Sequence, residues 1–208
     1  MSGAVPSWRL VATLSSGGAC AGLLLVVVFQ ATLPAIEAHK AKMLRLAVQE
    51  VLQEPDRTET LYRYEGKLTA KLPDGVDGRK LERVFLGFKQ DGSAVGFAVV
   101  GARPGFQDVV RIIFGYDATS KRILGMKVLE SKETPGLGDK IEKDKGFVAQ
   151  FKGALPPLVR RRRGQDGGEG ALDAITGATI SSQTVFRIIN DTLERLAPEL
   201  EAYMAAQR

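Results

Sequence analysis

Two short segments carry residue types able to do chemistry. The first is Asp173-Ala174-Ile175-Thr176-Gly177-Ala178-Thr179-Ile180-Ser181-Ser182. It places hydroxyls at 176, 179, 181 and 182 beside Gly-Ala, just before a stretch of helical periodicity. A helix start has unpaired N–H groups and the positive end of the helix dipole, which together favour a phosphate or other anion. Ser and Thr also cap helix starts, although capping needs one hydroxyl and four are present. On these residues alone both readings stand. The second segment is Thr134-Pro135-Gly136-Leu137-Gly138. Two Gly around one apolar residue let the backbone approach a flat ligand and offer N–H donors. The third Gly of a dinucleotide fingerprint and the Gly-Lys-Ser/Thr of a P-loop are both missing. An ordinary Pro-Gly turn has the same composition.

Other chemistry is scarce. The chain has 208 residues, with a single Cys (Cys20) and a single His (His39). That argues against a Cys/His zinc site, a His-ligated haem and an intrachain disulfide. No catalytic residue and no metal site is expected. With Lys+Arg 29 against Asp+Glu 24, the net charge is a mild +5, and nucleic acid is not an expected partner. Hydrophobic residues at 44% and charged residues at 25% exclude a wholly disordered or collagen-like chain.

The elements that must position the two segments follow from hydropathy patterning. Residues 10–36 hold no charged residue or His, with a dense apolar centre at Leu23 to Phe29. This is long enough to span a bilayer, with Trp8 at an interfacial position. No clean small-residue cleavage site follows, so we read an uncleaved anchor rather than a signal peptide. Met43, Leu44, Ala47, Val48, Val51 and Leu52 continue at helical spacing, giving an amphipathic connecting helix over 37–55 that ends at Pro55. Residues 56–80 carry turn punctuation. Val84–Phe88, Ala94–Val100, Val109–Tyr116 and Arg122–Leu129 read as four strands of an antiparallel meander. Gly87, Gly96, Gly115 and Gly125 within them mark bulges or close backbone approach. Phe147, Val148 and Phe151 give a short helix, stopped by Pro156-Pro157. Arg160–Arg163 and the Gly-rich run to Gly170 read as an exposed loop, and Ala171–Ile175 as a short strand. Val185, Ile188, Ile189, Thr192, Leu193 and Leu196 trace one face of a final helix that Pro198 should end or kink.

The motif Asp173-x-x-Thr176-Gly177-Ala178-Thr179 resembles the flavinylation motif of the FMN-binding domain family. Glu133-Thr134-Pro135-Gly136-Leu137-Gly138-Asp139-Lys140 resembles that family's flavin-contacting loop. The order of these segments behind one N-terminal anchor is similar to the G component of Rnf-type ion-translocating oxidoreductase complexes. The C component of Na⁺-translocating NADH:quinone reductases is a related pattern, usually longer. Ser131 departs from the His expected there in close relatives.

The resemblance implies an α+β fold: a single transmembrane helix followed by an FMN-binding domain with an antiparallel sheet and flanking helices. It implies FMN joined by a phosphoester to Thr179, installed by a flavin transferase that uses FAD and Mg²⁺. Asp173, Thr176, Gly177, Ala178 and Thr179 would be the transferase's recognition segment. Thr134, Gly136, Leu137, Gly138, Thr176, Gly177, Ala178, Ser181 and Ser182 would contact the cofactor. A Thr hydroxyl needs a base and an electrophile, and none is encoded near 179, which fits attachment by another enzyme. The implied partners are the other membrane subunits, the transferase and membrane lipid. The implied activity is electron relay within a complex linking ferredoxin and NAD to Na⁺ or H⁺ movement. A different flavinylated extracytoplasmic carrier, or a membrane-anchored scaffold without redox chemistry, are the alternatives.

Charge around the anchor is ambiguous. Arg9 precedes it, while Lys40, Lys42 and Arg45 follow, which by the positive-inside rule leans toward a cytoplasmic domain. Large domains translocate largely regardless of charge, and the resemblance implies an outer location. The expectation is a bacterial inner-membrane protein with residues 1–9 in the cytoplasm, 10–36 in the bilayer, and the flavin domain, 56–208, on the periplasmic side.

Overall fold

In the computed structural model, which describes residues 6–161 and 168–207, the uncharged N-terminal stretch is helical. Helix α1 spans Ser7–Val51 as one element, so the expected anchor and connecting helix are a single helix. Met1–Met43 and Leu44–Arg208 form separate units and are described in turn.

In the first unit Leu23 to Phe29 are all exposed, and none of the most apolar window is buried. Hydrocarbon is the natural cover for such a surface. Both threonine hydroxyls on this stretch bond back within the helix. Thr13 Oγ1 donates to the Arg9 carbonyl at 2.8 Å and Thr32 Oγ1 to the Val28 carbonyl at 2.9 Å. These bonds back to the preceding turn leave neither hydroxyl unpaired in lipid. Pro34 lies inside the helix without ending it.

The second unit is built on a six-stranded antiparallel sheet in the order β2-β1-β3-β4-β5-β6. The strands are β1 Arg57–Tyr64, β2 Lys67–Thr69, β3 Arg83–Phe88, β4 Ala94–Pro104, β5 Val109–Asp117 and β6 Arg122–Glu130. The last four are the expected meander. The first two fall where only turn punctuation was read. Leu61 is the one buried residue of β1, so the strand lacks the apolar alternation that would reveal it. The β1–β2 turn uses Glu65 and Gly66, both at positive φ, the pairing a tight hairpin requires. The loop expected at 101–105 is mostly strand, because β4 continues to Pro104.

Period-two alternation gives the sheet two apolar faces. Phe97 and Val99 of β4, with Val110, Ile112 and Phe114 of β5, join the main core. Ala98 and Ile113 point the other way and pack with Ala47, Val48, Val51 and Leu52 at the end of α1. Gly115 is where the α1 end meets the sheet. A Cβ there would sit well inside contact distance of the Val51 carbonyl oxygen. This is the close approach that glycine in a strand signals. Gly115→Ala should therefore cost about 1–3 kcal/mol. Thermal unfolding of the detergent-solubilised protein reads this, and an unchanged midpoint would mean that the helix end is not seated on the sheet.

The main core is closed by α4, Thr179–Ala206, with Val185, Ile188, Ile189, Thr192, Leu193 and Leu196 buried as the spacing predicts. Of the two outcomes expected at Pro198, ending the helix does not occur: α4 runs on through it to Ala206. Glu194, whose carbonyl loses its partner, is exposed and Pro198 is not buried, so water can satisfy that carbonyl. Leu196 and Leu200 stay buried on either side. Arg63 clamps Glu199 through two nitrogens, at 3.0 and 2.6 Å, and Arg195 Nη2 reaches Glu82 at 2.7 Å. These pairs tie the helix to β1 and to the chain entering β3.

Between β6 and α4 lie α2, Lys140–Lys143, and α3, Lys145–Ala149, which carries the predicted Phe147 and Val148. Strands β7, Val159–Arg160, and β8, Ala171–Leu172, pair in parallel. Arg160 is thus in a strand, not in the expected loop, and Ala171–Ile175 is extended only as far as Leu172. Arg162 to Gly167 of that loop lie outside the described residues. Asn190 of α4 accepts from the Leu158 N–H at 2.7 Å and donates to its carbonyl at 2.8 Å. This fixes the β7–β8 segment, and so the entry to the helix, on α4 itself.

Candidate functional site

The first motif forms a turn running into a helix. The Ala178 N–H donates to the Ile175 carbonyl at 3.0 Å, closing a turn whose third residue, Gly177, has φ +85°. A positive φ at that place is the reason for glycine. Helix α4 begins at Thr179, and no side chain caps it at Ala178. The four hydroxyls separate into two kinds. Ser182 Oγ donates to the Ala178 carbonyl at 2.8 Å and accepts the Ile175 N–H at 3.1 Å, so it holds the turn closed. Ser181 Oγ donates to Glu133 Oε2 at 2.6 Å. Both serines are buried, as is Ala178. Thr176 and Gly177 are exposed and Thr179 is half-buried. Among the described residues the Thr176 and Thr179 hydroxyls make no hydrogen bond. Asp173 is exposed. Its N–H donates to Gln150 Oε1 at 2.7 Å, and its carboxylate lies 3.5 Å from Arg161 Nη1.

The second motif is a Pro-Gly turn as well: the Leu137 N–H donates to the Thr134 carbonyl at 3.1 Å, with Gly136 at φ +77°. Tertiary structure carries it beyond an ordinary turn by setting it against the first motif. Leu137 lies across from Gly177, 3.6 Å from where a Cβ would stand. A Cβ at Gly138 would come within 2.7 Å of the Glu133 Cβ and 3.0 Å of Ser181 Oγ. Space around Gly136 is open, so a side chain there would strain the backbone without meeting the protein. Thr134 Oγ1 donates to Gln107 Oε1 at 2.9 Å.

Glu133 stands where these pieces meet, and no role for it follows from the sequence alone. Oε1 accepts the N–H groups of Phe106 and Gln107 at 2.9 and 3.0 Å, at the tip of the β4–β5 hairpin. Oε2 takes the Ser181 hydroxyl. Only 5% of the residue is exposed. Burial pushes the carboxyl up, but the bond from Ser181 and those from the hairpin tip outweigh it and hold it below the ordinary value. Its presence beside the Pro-Gly turn was the available sequence signal. The hairpin tip joining it from more than 25 residues away had none.

Phe106, Leu137 and Ile180 are large apolar side chains left exposed near this cluster. A half-buried hydroxyl without a partner, an uncapped helix start, an open glycine turn and nearby apolar surface together suit a ligand with a phosphate end and a flat apolar ring.

Known proteins with similar sequence or fold place this arrangement in context. A profile described as the FMN-binding domain matches residues 105–194, which spans both motifs and the hairpin tip. The G component of the ion-translocating oxidoreductase complex of Methanosarcina acetivorans is 26% identical over 92% of this chain and 95% of its own. The protein of that name from Vibrio vulnificus is 30% identical over 85% of this chain and 83% of its own. Among solved structures, NqrC of Shewanella oneidensis aligns with a TM-score of 0.65 at 17% identity, covering 79% of this chain and 99% of that one.

Proposed function

The chain belongs to the G-component family of ion-translocating oxidoreductase complexes, and from that membership we propose that it relays electrons through an FMN joined to Thr179. It is an FMN-binding subunit of such a complex, and the complex's other subunits are its partners. Bound FMN supplies reversible one- and two-electron transfer. The observation that carries the assignment to Thr179 is the division of the hydroxyls. Ser181 and Ser182 are spent inside the fold, whereas Thr179 keeps a free hydroxyl on the first turn of α4.

The roles then follow from position. Thr179 is the point of attachment. A flavin transferase that binds FAD with Mg²⁺ would recognise the exposed Thr176 and Gly177, with Asp173 at the end of β8. Thr179 Oγ would accept the FMN phosphate from FAD in exchange for AMP, giving its hydroxyl proton to the transferase. The uncapped helix start favours the phosphate. Leu137, with the turn at Gly136, offers a surface to the ring, and Gly138 keeps that turn close to α4. The Ser181 and Ser182 hydroxyls hold the turn, which leaves the backbone N–H groups at the helix start to meet the phosphate.

Electrons would pass between other subunits of the complex, coupling ferredoxin and NAD chemistry to Na⁺ or H⁺ movement. Residues 10–36 would anchor the chain in lipid, with the flavin domain on the periplasmic side of a bacterial inner membrane. Two measurements test the reading. Intact mass after expression with and without the transferase should differ by one FMN phosphoester, and the denatured band should fluoresce only with it. For topology, a single Cys at Ser93 or at Gln165, with Cys20 removed, should react with an impermeant thiol reagent in intact cells. Ser93 is exposed; Gln165 lies outside the described residues. Labelling only after lysis would place the domain in the cytoplasm and remove the proposed route of attachment.

A further inference from the structure

Two segments distant in sequence converge on one nearly dry carboxylate. Glu133 accepts from the backbone at Phe106 and Gln107 and from the hydroxyl of Ser181. A carboxylate is costly to bury unless hydrogen bonds replace its water, and here three donors do so. The packing around it independently marks a fixed arrangement. A Cβ at Gly105 would press into Oε1, and one at Gly138 would come within 2.5 Å of Oε2. Ser181 is two residues beyond Thr179 on the same first turn of α4. That turn has no side-chain cap of its own. The Glu133–Ser181 bond and the Ser182 bonds within the turn are therefore the side-chain ties that hold it.

We propose that Glu133 is the positioning residue of the attachment site: through Ser181 it fixes the first turn of α4 on the hairpin tip and so presents the Thr179 hydroxyl to the flavin transferase. The proposal rests on Thr179 being the point of attachment. Among the described residues no hydrogen bond joins Glu133 to Thr179, so its effect reaches the reaction through placement of the turn. A misplaced nucleophile slows the chemical step without weakening the encounter. The loss should then fall on kcat for the protein substrate and leave KM near its ordinary value.

The experiment follows flavinylation of the detergent-solubilised full chain by purified transferase with FAD and Mg²⁺, read by in-gel fluorescence. Ser181→Ala removes the link to α4 and nothing else. It should lower kcat about tenfold or more. Glu133→Ala should do at least as much. Glu133→Gln is the conservative rescue. Its carbonyl can accept from the hairpin tip while its amide donates to Ser181 Oγ, so it should recover most of the rate despite losing the charge. Should Glu133→Ala fail to fold, Ser181→Ala still decides the question. Wild-type kcat in Ser181→Ala overturns the proposal, and so does a loss confined to KM. Flavin retained in Thr179→Val would instead remove the premise, which is a separate and recognisable outcome.

Discussion

A chain carrying Thr179→Val is expected to show no flavin fluorescence after denaturation and to have the mass of the bare polypeptide. The side chains are close in shape, but Val has no oxygen to esterify. The Thr179 hydroxyl has no partner among the described residues, so removing it strands no buried donor or acceptor. Stability should therefore stay within about 1 kcal/mol of wild type. The loss of flavin would be complete while the fold survives, which separates attachment from folding. Thr176 is the control. It too has a free hydroxyl, but it sits in the exposed turn before the helix. Thr176→Val should reduce the rate of attachment and leave its end point unchanged. The reverse pattern, flavin kept in Thr179→Val and lost in Thr176→Val, would falsify the assignment.

Gly138→Val should be the most damaging single change in the ligand loop. Its Cβ alone would meet Glu133 and Ser181 at 2.5 to 3.0 Å, and both are buried. The neighbours can yield only by breaking the carboxylate's bonds. Stranding a buried carboxylate and its donors costs about 1–3 kcal/mol for each unsatisfied group, beyond the overpacking itself. Thermal unfolding should show the destabilisation, and covalent flavin should fall with it. Gly136→Val is the informative contrast. The space around Gly136 is empty, and only its φ of +77° resists a side chain. That variant should keep its flavin and alter its absorption spectrum. Equal effects at 136 and 138 would mean that the Glu133 cluster does not constrain the loop.

These contrasts also mark how far the sequence alone could go. Local chemistry determined what depends on neighbours along the chain. The uncharged run at 10–36 dictated a helix long enough to cross a membrane. Alternation and turn residues dictated four of the six strands of the main sheet, and the spacing from Val185 to Leu196 the buried face of α4. The motif at 173–179 with the loop at 133–140 pointed to the family. Where the signal was weak, the fold decided. Strand β1 was hidden because only Leu61 is buried on it, and its place comes from pairing with β3. Pro198 stays helical because packing of Leu196 and Leu200 outweighs one carbonyl left to solvent. Four hydroxyls that look alike in sequence differ in the structure, because two of them face partners brought from elsewhere in the chain or across the turn. Glu133 shows the limit most clearly. A carboxylate reads as a surface residue until the β4–β5 hairpin brings two N–H groups to it and α4 brings a hydroxyl. Hydrogen-bond partners separated by 26 to 48 residues leave no periodicity to read, and only closure of the sheet under the helix sets their distances.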